Sequence, residues 1–516
     1  MFDILIRNGL VVDGSGKHRF RADVAVTGDR IGEVGPLDGA KAAETIDATG
    51  LVVCPGFIDT HVHGDAMVLA DPLHEPAVRQ GVTTYLIGQD GSSYAPGDRA
   101  VIDYFRRYTA GFNGNPEIGW DWCGVHEYLS RFDGRVAINM AYLVPNGNVR
   151  MAVMGVTDRR ATPAETAAMR RLVREGMEQG AVGLSSGLDY IPSRYADTAE
   201  LVELSREIAP FGGVYVTHMR SYAPGGVFGA MDEVNTIARE AGVAVHISHF
   251  NARAEPVLPR VDRDRAAGID LTFDLYPYLA GSSILAMVAL PPWVQEGGND
   301  ATLARLRDSA VREQLKDWFQ QPKYAHNDLK LSAIAAPEFR HLEGKMLLDA
   351  AADAGKSPGD FICDVLVASN LNVGIVHFHR GRTDSDIHAF MRHPRHMAGS
   401  DGIFVGSRPH PRGWGAFAKY AGRYVRDEKL WSVEDAVYHL SGHAARRYGL
   451  RDRGLIERGK AADIVCFDPT RFIDRSTFDD GRVLADGVEH VLVNGTFVLR
   501  AGQRTPATPG RGLRRG

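Results

Sequence analysis

Short apolar runs alternate with amphipathic segments through the middle of the chain. The eight candidate strands are GFIDTHVH, TTYLIGQD, RVAINMAYLV, GAVGLSS, GVYVTHM, VAVHISHF, IDLTFDLY and RHMAGSD. Segments with helical spacing, such as TPAETAAMRRLVREGMEQG and TAELVELSREIAPFGG, lie between most of them. This alternation is typical of βα units with a parallel sheet. Eight such strands predict an α/β fold, a closed (β/α)8 TIM barrel.

At the two ends of the chain, apolar and polar residues alternate between NG, GD and TG turns, which is typical of antiparallel β-strands. We expect one small β-sandwich assembled from residues 1–54 and 451–505, with the catalytic barrel over 55–450. Strands seven and eight are more than a hundred residues apart, which predicts a helical insertion at about 280–395 and a candidate lid. The basic residues 506–516 are expected to form a solvated tail.

Composition narrows the possible partners. The chain has 516 residues, 44% hydrophobic and 24% charged, which is typical of a soluble globular protein. A net charge of −5 gives no basic field, so a nucleic-acid partner is not expected. No apolar run reaches membrane-spanning length, and the start of the chain has no secretory-signal pattern. Together with four scattered cysteines, expected to be buried thiols, this predicts a cytoplasmic protein.

Polar residues stand where the candidate barrel strands end, which is where active sites of such barrels form. They are His61, His63, Asp90, His218, His249 and Asp401. Taken singly, a strand-end histidine is often structural, and Asp90 has the alternative role of a helix cap. Taken together, residues from five strands predict a metal site for Zn²⁺, one ion or two, with Mn²⁺ or Co²⁺ as alternatives. Asp401 is the candidate general base.

Several motifs resemble those of the amidohydrolase superfamily, namely PGFIDTHVHGD, THMR, ISHF and GSDG. Others are similar to its N-acyl-D-amino-acid deacylase (D-aminoacylase) family: GVTTYLIGQDGSSYAP, GAVGLSSGLDYIP, DLYPYLAGSS, LPPWVQEGG, HPRGWGAF and GLIERGKAADIVCFDP. The resemblance runs from about residue 50 to 470. It implies hydrolysis of an N-acyl amide to a carboxylate and a D-amino acid. Metal-bound water would attack the carbonyl, with Asp401 as general base and acid.

The resemblance also assigns residues. It implies that His61 and His63 hold one metal position and that His218 and His249 hold the other. Tyr190 and Arg412 match residues that bind the substrate's α-carboxylate, and Tyr276 matches one that orients the amide carbonyl. The alternatives are packed tyrosines with satisfied hydroxyls and an arginine in an interdomain ion pair. The remaining substrate-binding candidates are Asn251, Ser282 and Ser283.

Three positions depart from the family pattern. Asp90 stands where the family has a bridging cysteine, which makes the site richer in oxygen ligands. Asn251 stands where the family has a lysine that binds the α-carboxylate, and Arg253 is a nearby substitute. Pro145-Asn146 replaces a Gly-His pair. No lysine occurs between residues 42 and 315, which excludes a carboxylated lysine as a bridge across strands one to seven.

Two other functions stay open at this stage. One is a cyclic-amide or N-carbamoyl hydrolase on the same scaffold, which the changes at Asp90 and Asn251 would allow. The other is a barrel without catalysis that serves as a binding or assembly protein. The second is disfavoured because His61, His63, His218, His249 and Asp401 are all retained. The oligomeric state is not predicted.

Overall fold

The computed structural model describes residues 1–320 and 326–515, so residues 321–325 of the predicted insertion and the last residue of the tail lie outside the described residues. Its central feature is an eight-stranded parallel barrel. The barrel strands are, in chain order, Phe57–Asp59, Val82–Ile87, Asn139–Pro145, Gly183–Gly187, Val214–His218, Ala244–Ile247, Leu271–Leu275 and His396–Ala398. Each strand pairs in parallel with the next along the chain. The predicted TIM barrel is therefore confirmed.

The barrel closes between its first and last strands. The amide of Thr60 donates to the carbonyl of Ala398 at 3.1 Å. One step further on, the short strand Val62–His63 pairs in parallel with Gly402–Ile403. Closure therefore brings the histidines that follow strand one beside the residues that follow strand eight.

Helices cover the outside of the barrel. The described α-helices of this layer and its loops are Met67–Ala70, Glu75–Val78, Arg99–Tyr108, Ala110–Asn113, Val125–Ser130, Asn146–Met154, Pro163–Glu178, Thr198–Arg206, Val227–Ala241, Ala254–Ala266, Asp384–Arg392, Arg412–Ala418, Val433–Val437 and His443–Arg447. Single-turn helices occur at Ser193–Tyr195 and Ala209–Phe211, and wider π-helical turns at Lys419–Asp427 and Tyr438–Gly442. The predicted helix near 162–180 begins with a capping box, since Glu165 and Thr162 bond reciprocally.

Both ends of the chain contribute strands to one nine-stranded sheet. Its strands are Phe2–Val11, Phe20–Thr27, Arg30–Gly35, Ala42–Asp47, Val52–Pro55, Ile464–Phe467, Val488–Val493, Thr496–Arg500 and Gln503–Arg504. The two halves join where Val52–Pro55 pairs antiparallel with Ile464–Phe467. At this junction alternate residues face opposite cores: Val53 and Ile464 pack within the terminal domain, whereas Val52 and Val465 pack against the barrel.

The insertion after strand seven is not wholly helical. It contains the helices Leu285–Ala289, Pro292–Gln295, Asn299–Arg307, Ser309–Phe319, Leu347–Asp353 and Pro358–Ala368, and single turns at His326–Asp328 and Arg340–Leu342. It also contains an antiparallel sheet of Ala280–Ile284, Val373–Phe378 and Leu329–Ile334, which the prediction missed. These elements bury an apolar core of their own. Asp384–Arg392 instead packs on the barrel, against Leu271–Leu275.

The expectation of a solvated C-terminal tail is wrong. The amide of Met140 in strand three donates to the carbonyl of Arg511 at 2.8 Å, and the amide of Leu513 donates back to Met140 at 2.7 Å. The Leu513 side chain is buried, and Arg514 pairs with Asp133 at 3.0 Å. Backbone groups at the start of strand three need partners, because strand four pairs only from Leu143 onward, and the tail supplies them.

Three histidines lie together at the N-terminal end of the barrel. His439 and His443 bring their Nδ1 atoms within 2.7 and 3.0 Å of the carbonyl oxygen of His396, which is itself fully buried. Burial lowers the pKa of His439 to about 4 and that of His443 to about 3, and it also lowers the pKa of His396. The folded protein therefore holds these rings neutral.

We expect acid to destabilise the fold through this cluster. Unfolded histidine titrates near 6.5, so below that pH the unfolded chain binds protons that the folded chain excludes. Stability is lost as pH falls from about 6.5 towards 4, by roughly 2 kcal/mol per histidine at pH 5. Acid-unfolding curves followed by circular dichroism measure it. His439→Gln should move the midpoint to lower pH, and an unchanged midpoint would contradict the assignment.

In the described part of the chain, no helix combines the length and the apolarity needed to cross a bilayer. The cytoplasmic location stays a prediction. Cys54, Cys363 and Cys466 are buried as expected, but Cys123 is exposed.

Candidate metal centre

The six polar residues predicted at the strand ends meet at the C-terminal rim of the barrel. His61 and His63 follow strand one, Asp90 follows strand two and His218 ends strand five. The other two are His249 and Asp401, after strands six and eight. All are buried except His218, which is partly exposed. Parallel strands bring their carboxyl ends to one edge, so residues far apart in sequence form one cluster.

Asp90 lies at the centre of this cluster. One carboxylate oxygen, Oδ1, is 3.6 Å from His61 Nε2, and the other, Oδ2, is 3.6 Å from His63 Nε2. Oδ2 also lies 3.6 Å from His249 Nε2 and 3.9 Å from His218 Nδ1. Two candidate ligand groups result, one of His61, His63 and Asp90 and the other of Asp90, His218 and His249. Asp90 is the member they share.

The backbone at this rim adopts conformations that non-glycine residues seldom take. The φ angles of Asp90, His249 and Asp401 are +56°, +29° and +52°. Gly91 also has a positive φ, and a Cβ there would meet Ser193 Oγ at 2.4 Å. Backbone strain of this kind persists where the surrounding structure enforces it, which is common at functional sites.

The donor atoms fit a divalent metal ion. Among the described residues, His61 Nε2 and Asp90 Oδ1 are buried without a hydrogen-bond partner. Such atoms are costly unless a ligand satisfies them. Burial and the neighbouring His249 lower the pKa of His218 to about 3, so this ring is neutral and can offer a nitrogen lone pair to a metal. Burial alone would raise the pKa of Asp90, but the nearby histidines hold it low. Imidazole nitrogens around a carboxylate are ligands that suit zinc.

Asp401 is held between the histidines and an arginine. Its Oδ1 lies 3.2 Å from His63 Nε2, and its Oδ2 lies 2.7 Å from Arg412 Nη1. Burial by itself would raise the pKa of Asp401, but the Arg412 guanidinium and the His63 hydrogen bond keep it below its ordinary value. Asp401 is therefore a carboxylate, the form in which it can accept a proton.

A buried layer behind the histidines was missed by the sequence reasoning. Asp274, at 0% exposure in strand seven, places Oδ2 2.8 Å from His246 Nε2 and 3.6 Å from His61 Nδ1. Its Oδ1 accepts from the amide of His249 at 2.6 Å. The available signal was a polar residue within an apolar strand, the same signal that identified the rim residues. A carboxylate on the far nitrogen of a ligating histidine fixes the tautomer and ring orientation.

We expect Asp274→Asn to weaken metal binding by about 10- to 100-fold, because it removes the anion behind His61. Competition with a chromophoric chelator measures the affinity. Asp270→Asn, at an exposed carboxylate that pairs with Arg447 on the opposite end of the barrel strand, is the matched control and should leave the affinity unchanged. An Asp274→Asn protein with the wild-type metal affinity would show that Asp274 only supports the fold.

A cavity of about 550 Å³ opens in front of the cluster. Its wall includes His218, His249 and Asp401 and five of the six predicted substrate-binding residues, which are Tyr190, Asn251, Tyr276, Ser282 and Ser283. The sixth, Arg412, is fully buried behind this wall, with its guanidinium 4.6 Å from the centre of the Tyr276 ring. The structure thus joins Arg412 to Asp401 rather than exposing it to the cavity.

The hydroxyl groups of the wall have defined partners. Tyr190 places its hydroxyl 2.9 Å from His218 Nδ1, and Ser282 donates to the carbonyl of Ile375 at 2.8 Å. The Tyr276 hydroxyl accepts from Asn251 Nδ2 at 2.7 Å. Ser283 lies near Met287 and makes only a long 4.0 Å contact with its sulfur.

The remaining departures from the family pattern have structural counterparts. Arg253 pairs with Asp386 at 3.4 Å, leaves half of its side chain exposed and lines the cavity, so its role in place of the absent lysine stays a prediction. Asn146, after strand three, accepts a hydrogen bond from Ser193. The next amide, that of Gly147, donates to Gly91 at 3.1 Å. The Pro145-Asn146 pair therefore supports the loop that carries Asp90.

A parallel barrel whose rim gathers four imidazoles and two carboxylates defines a metal-dependent barrel hydrolase. Comparison with known proteins gives the family. A family model described as "Amidohydrolase family" matches residues 44–499, and the chain belongs to this family.

Full-length relatives are more specific. The chain is 34% identical to a D-aminoacylase of Alcaligenes xylosoxydans xylosoxydans over 531 residues, covering 100% of this chain and 98% of the relative. It is 34% identical to an N-acyl-D-glutamate deacylase of the same organism over 524 residues, covering 99% and 96%. Among solved structures, the fold matches the crystal structure of N-acyl-D-glutamate deacylase from Bordetella bronchiseptica with a TM-score of 0.84 and 32% identity, over 99% of both chains. That structure is complexed with zinc and a phosphonate inhibitor that mimics the tetrahedral intermediate of the reaction.

Proposed function

We propose that this protein is a zinc-dependent N-acyl-D-amino-acid deacylase. The observation that carries the proposal is the convergence of two histidine pairs on Asp90, beside the ionised Asp401. The full-length similarity to D-aminoacylase and N-acyl-D-glutamate deacylase supports the same reaction class. The zinc in the Bordetella structure supports that choice of metal.

In this proposal, His61, His63 and Asp90 would hold one zinc ion, and Asp90, His218 and His249 would hold a second. Bound zinc supplies Lewis acidity that activates water and polarises a carbonyl group. The chain's own residues position the substrate and move the proton. The cavity walled by Tyr190 and Tyr276 orients the N-acyl compound.

Asp401 is the proposed proton carrier. It accepts a proton from water as the water oxygen bonds to the amide carbon. It returns the proton to the nitrogen as the carbon–nitrogen bond breaks, which gives a carboxylate and a D-amino acid. Arg412 holds Asp401 ionised and oriented for the first transfer, a positioning role. Binding of the α-carboxylate by Arg412 stays a prediction from the family resemblance.

Tyr276 is placed to donate a hydrogen bond to the substrate. Burial raises its pKa to about 12, so the phenol keeps its proton at neutral pH. Asn251 donates to its oxygen, so the phenol's own hydrogen can go either to His379 Nε2, 3.4 Å away, or to an acceptor on the substrate. The insertion contributes Ser282 and Ser283 to the same wall, and we propose that it covers the bound substrate as a lid.

The test is a substrate panel assayed on protein loaded with zinc and on the same protein stripped with chelator. We expect the loaded protein to hydrolyse N-acetyl-D-amino acids and to discriminate against their L-enantiomers. Turnover of hydantoins or N-carbamoyl compounds, but not of N-acetyl-D-amino acids, would favour the alternative hydrolase. Metal binding without turnover of any compound would favour a binding protein and would overturn the proposal.

A further inference from the structure

Arg382 is a buried cation in the wall of the cavity. It lies between the strand Val373–Phe378 and the helix Asp384–Arg392, and its exposure is only 9%. One nitrogen, Nη1, donates to Asn251 Oδ1 at 2.6 Å. Within the described chain, its Nε and Nη2 atoms are buried without hydrogen-bond partners. A buried guanidinium with two unsatisfied donors is unfavourable unless a ligand completes it.

Three other arginines near the cavity already have acidic partners. Arg412 pairs with Asp401 at 2.7 Å, and Arg380 pairs with Asp328 at 2.5 Å. Arg253 pairs with Asp386 at 3.4 Å. By contrast, no carboxylate of the described residues lies within ion-pair distance of Arg382. Arg382 lines the same cavity as Asp401 and two candidate metal ligands, His218 and His249.

A short chain of hydrogen bonds fixes where this cation points. Asn251 stands two residues after His249, accepts from Arg382, and donates to the hydroxyl of Tyr276. The Nη1 atom of the planar guanidinium is therefore anchored to Asn251. The edge formed by Nε and Nη2 keeps two donors without hydrogen-bond partners. A fixed fork of this kind binds a carboxylate through two parallel hydrogen bonds.

We propose that Arg382 binds a carboxylate of the amino-acid part of the substrate and so determines specificity. The inference rests on the proposed function, because it assumes that an N-acylated amino acid occupies the cavity. Asn251 then serves as the anchor for a cation that comes from the insertion. Both the α-carboxylate and a side-chain carboxylate offer the required chemistry, and the substrates below separate them.

The test compares wild type, Arg382→Met and Arg380→Met on three compounds. N-acetyl-D-leucine has one carboxylate, N-acetyl-D-glutamate has two, and N-acetyl-D-leucinamide has none. We expect Arg382→Met to raise KM for N-acetyl-D-leucine by about 10- to 100-fold, the cost of charge-assisted hydrogen bonds, with a small change in kcat. N-acetyl-D-leucinamide should be unaffected. Arg380→Met removes the same charge from the cavity mouth and should change KM by less than about 3-fold.

The outcomes separate the two sources of the carboxylate. A KM increase confined to N-acetyl-D-glutamate would support the proposal and assign Arg382 to the side-chain carboxylate. Equal effects on all three compounds, or no effect on any, would overturn it. Arg382→Lys should recover part of the lost affinity, which a purely structural role would not require. Thermal melts verify that each variant is folded, and Arg382→Gln replaces the methionine variant if that one does not fold.

A binding measurement separates this inference from the proposed function. Calorimetric titration of the zinc-loaded protein with D-leucine and with D-leucinamide needs no turnover. If Arg382→Met binds D-leucine more weakly than wild type but binds D-leucinamide equally well, carboxylate recognition by Arg382 is supported. This holds even if the wild-type protein hydrolyses none of the three N-acetyl compounds. If wild type binds D-leucine no better than D-leucinamide and hydrolyses N-acetyl-D-leucine without any effect of Arg382→Met, the deacylase proposal survives and this one fails.

Discussion

Asp401→Asn should abolish turnover while leaving the metal content nearly intact. The amide keeps the size of the carboxylate but cannot accept the proton from water, and general-base catalysis is worth about 10²- to 10⁴-fold. Four imidazoles and Asp90 remain to hold the metal. The measurements are kcat on an N-acetyl-D-amino acid and metal content by atomic emission. A variant that retains near-normal kcat would remove Asp401 as the base.

The partner of Asp401 complicates this substitution and supplies its control. Removing the negative charge leaves the fully buried Arg412 unpaired, which typically costs about 3–5 kcal/mol of stability. The double variant Asp401→Asn with Arg412→Gln removes both charges, so it should recover much of the melting temperature. It should not recover turnover. Recovery of both would mean that the single variant failed by misfolding.

Asp90→Ala should empty both metal positions together. Its two oxygens lie 3.6 Å from nitrogens of His61, His63 and His249, so it is the candidate ligand common to both groups. The alanine variant lacks the carboxylate that both candidate ligand groups share. We therefore expect metal affinity to fall by more than about 100-fold, which is beyond the effect expected for Asp274→Asn. Turnover should fall with occupancy. Calorimetric zinc titration and metal analysis measure the change.

Two companion variants make the result specific. Asp90→Asn tolerates the positive φ and preserves shape, so it separates loss of charge from backbone strain. Asp90→Cys restores an anionic but softer ligand, and it should retain zinc while binding manganese less well than wild type. Unchanged affinity in the alanine variant would show that Asp90 is a structural cap and not a ligand.

Much of the fold could be predicted because its signals are local. Each barrel strand is a short apolar run, and all eight runs appear as paired strands in the predicted order. The three-stranded sheet of the insertion was missed because its strands are separated by helices and pair across about forty residues or more. The docked tail was missed because its partner, the start of strand three, lies far back in the chain.

The candidate metal ligands could also be predicted from the sequence, because each is a polar residue directly after an apolar strand. A parallel barrel brings the C-terminal ends of all its strands to one rim, so these residues were expected to lie together. The partners of those residues were not visible. That Arg412 meets Asp401, that Asp274 lies behind His61, and that Arg382 is anchored by Asn251 depend on side chains from separate segments. The sequence alone determined which chemical groups reach the rim. Only the tertiary structure decided which charges neutralise one another and which remain for a ligand, because burial and ion pairing depend on the packing of distant segments.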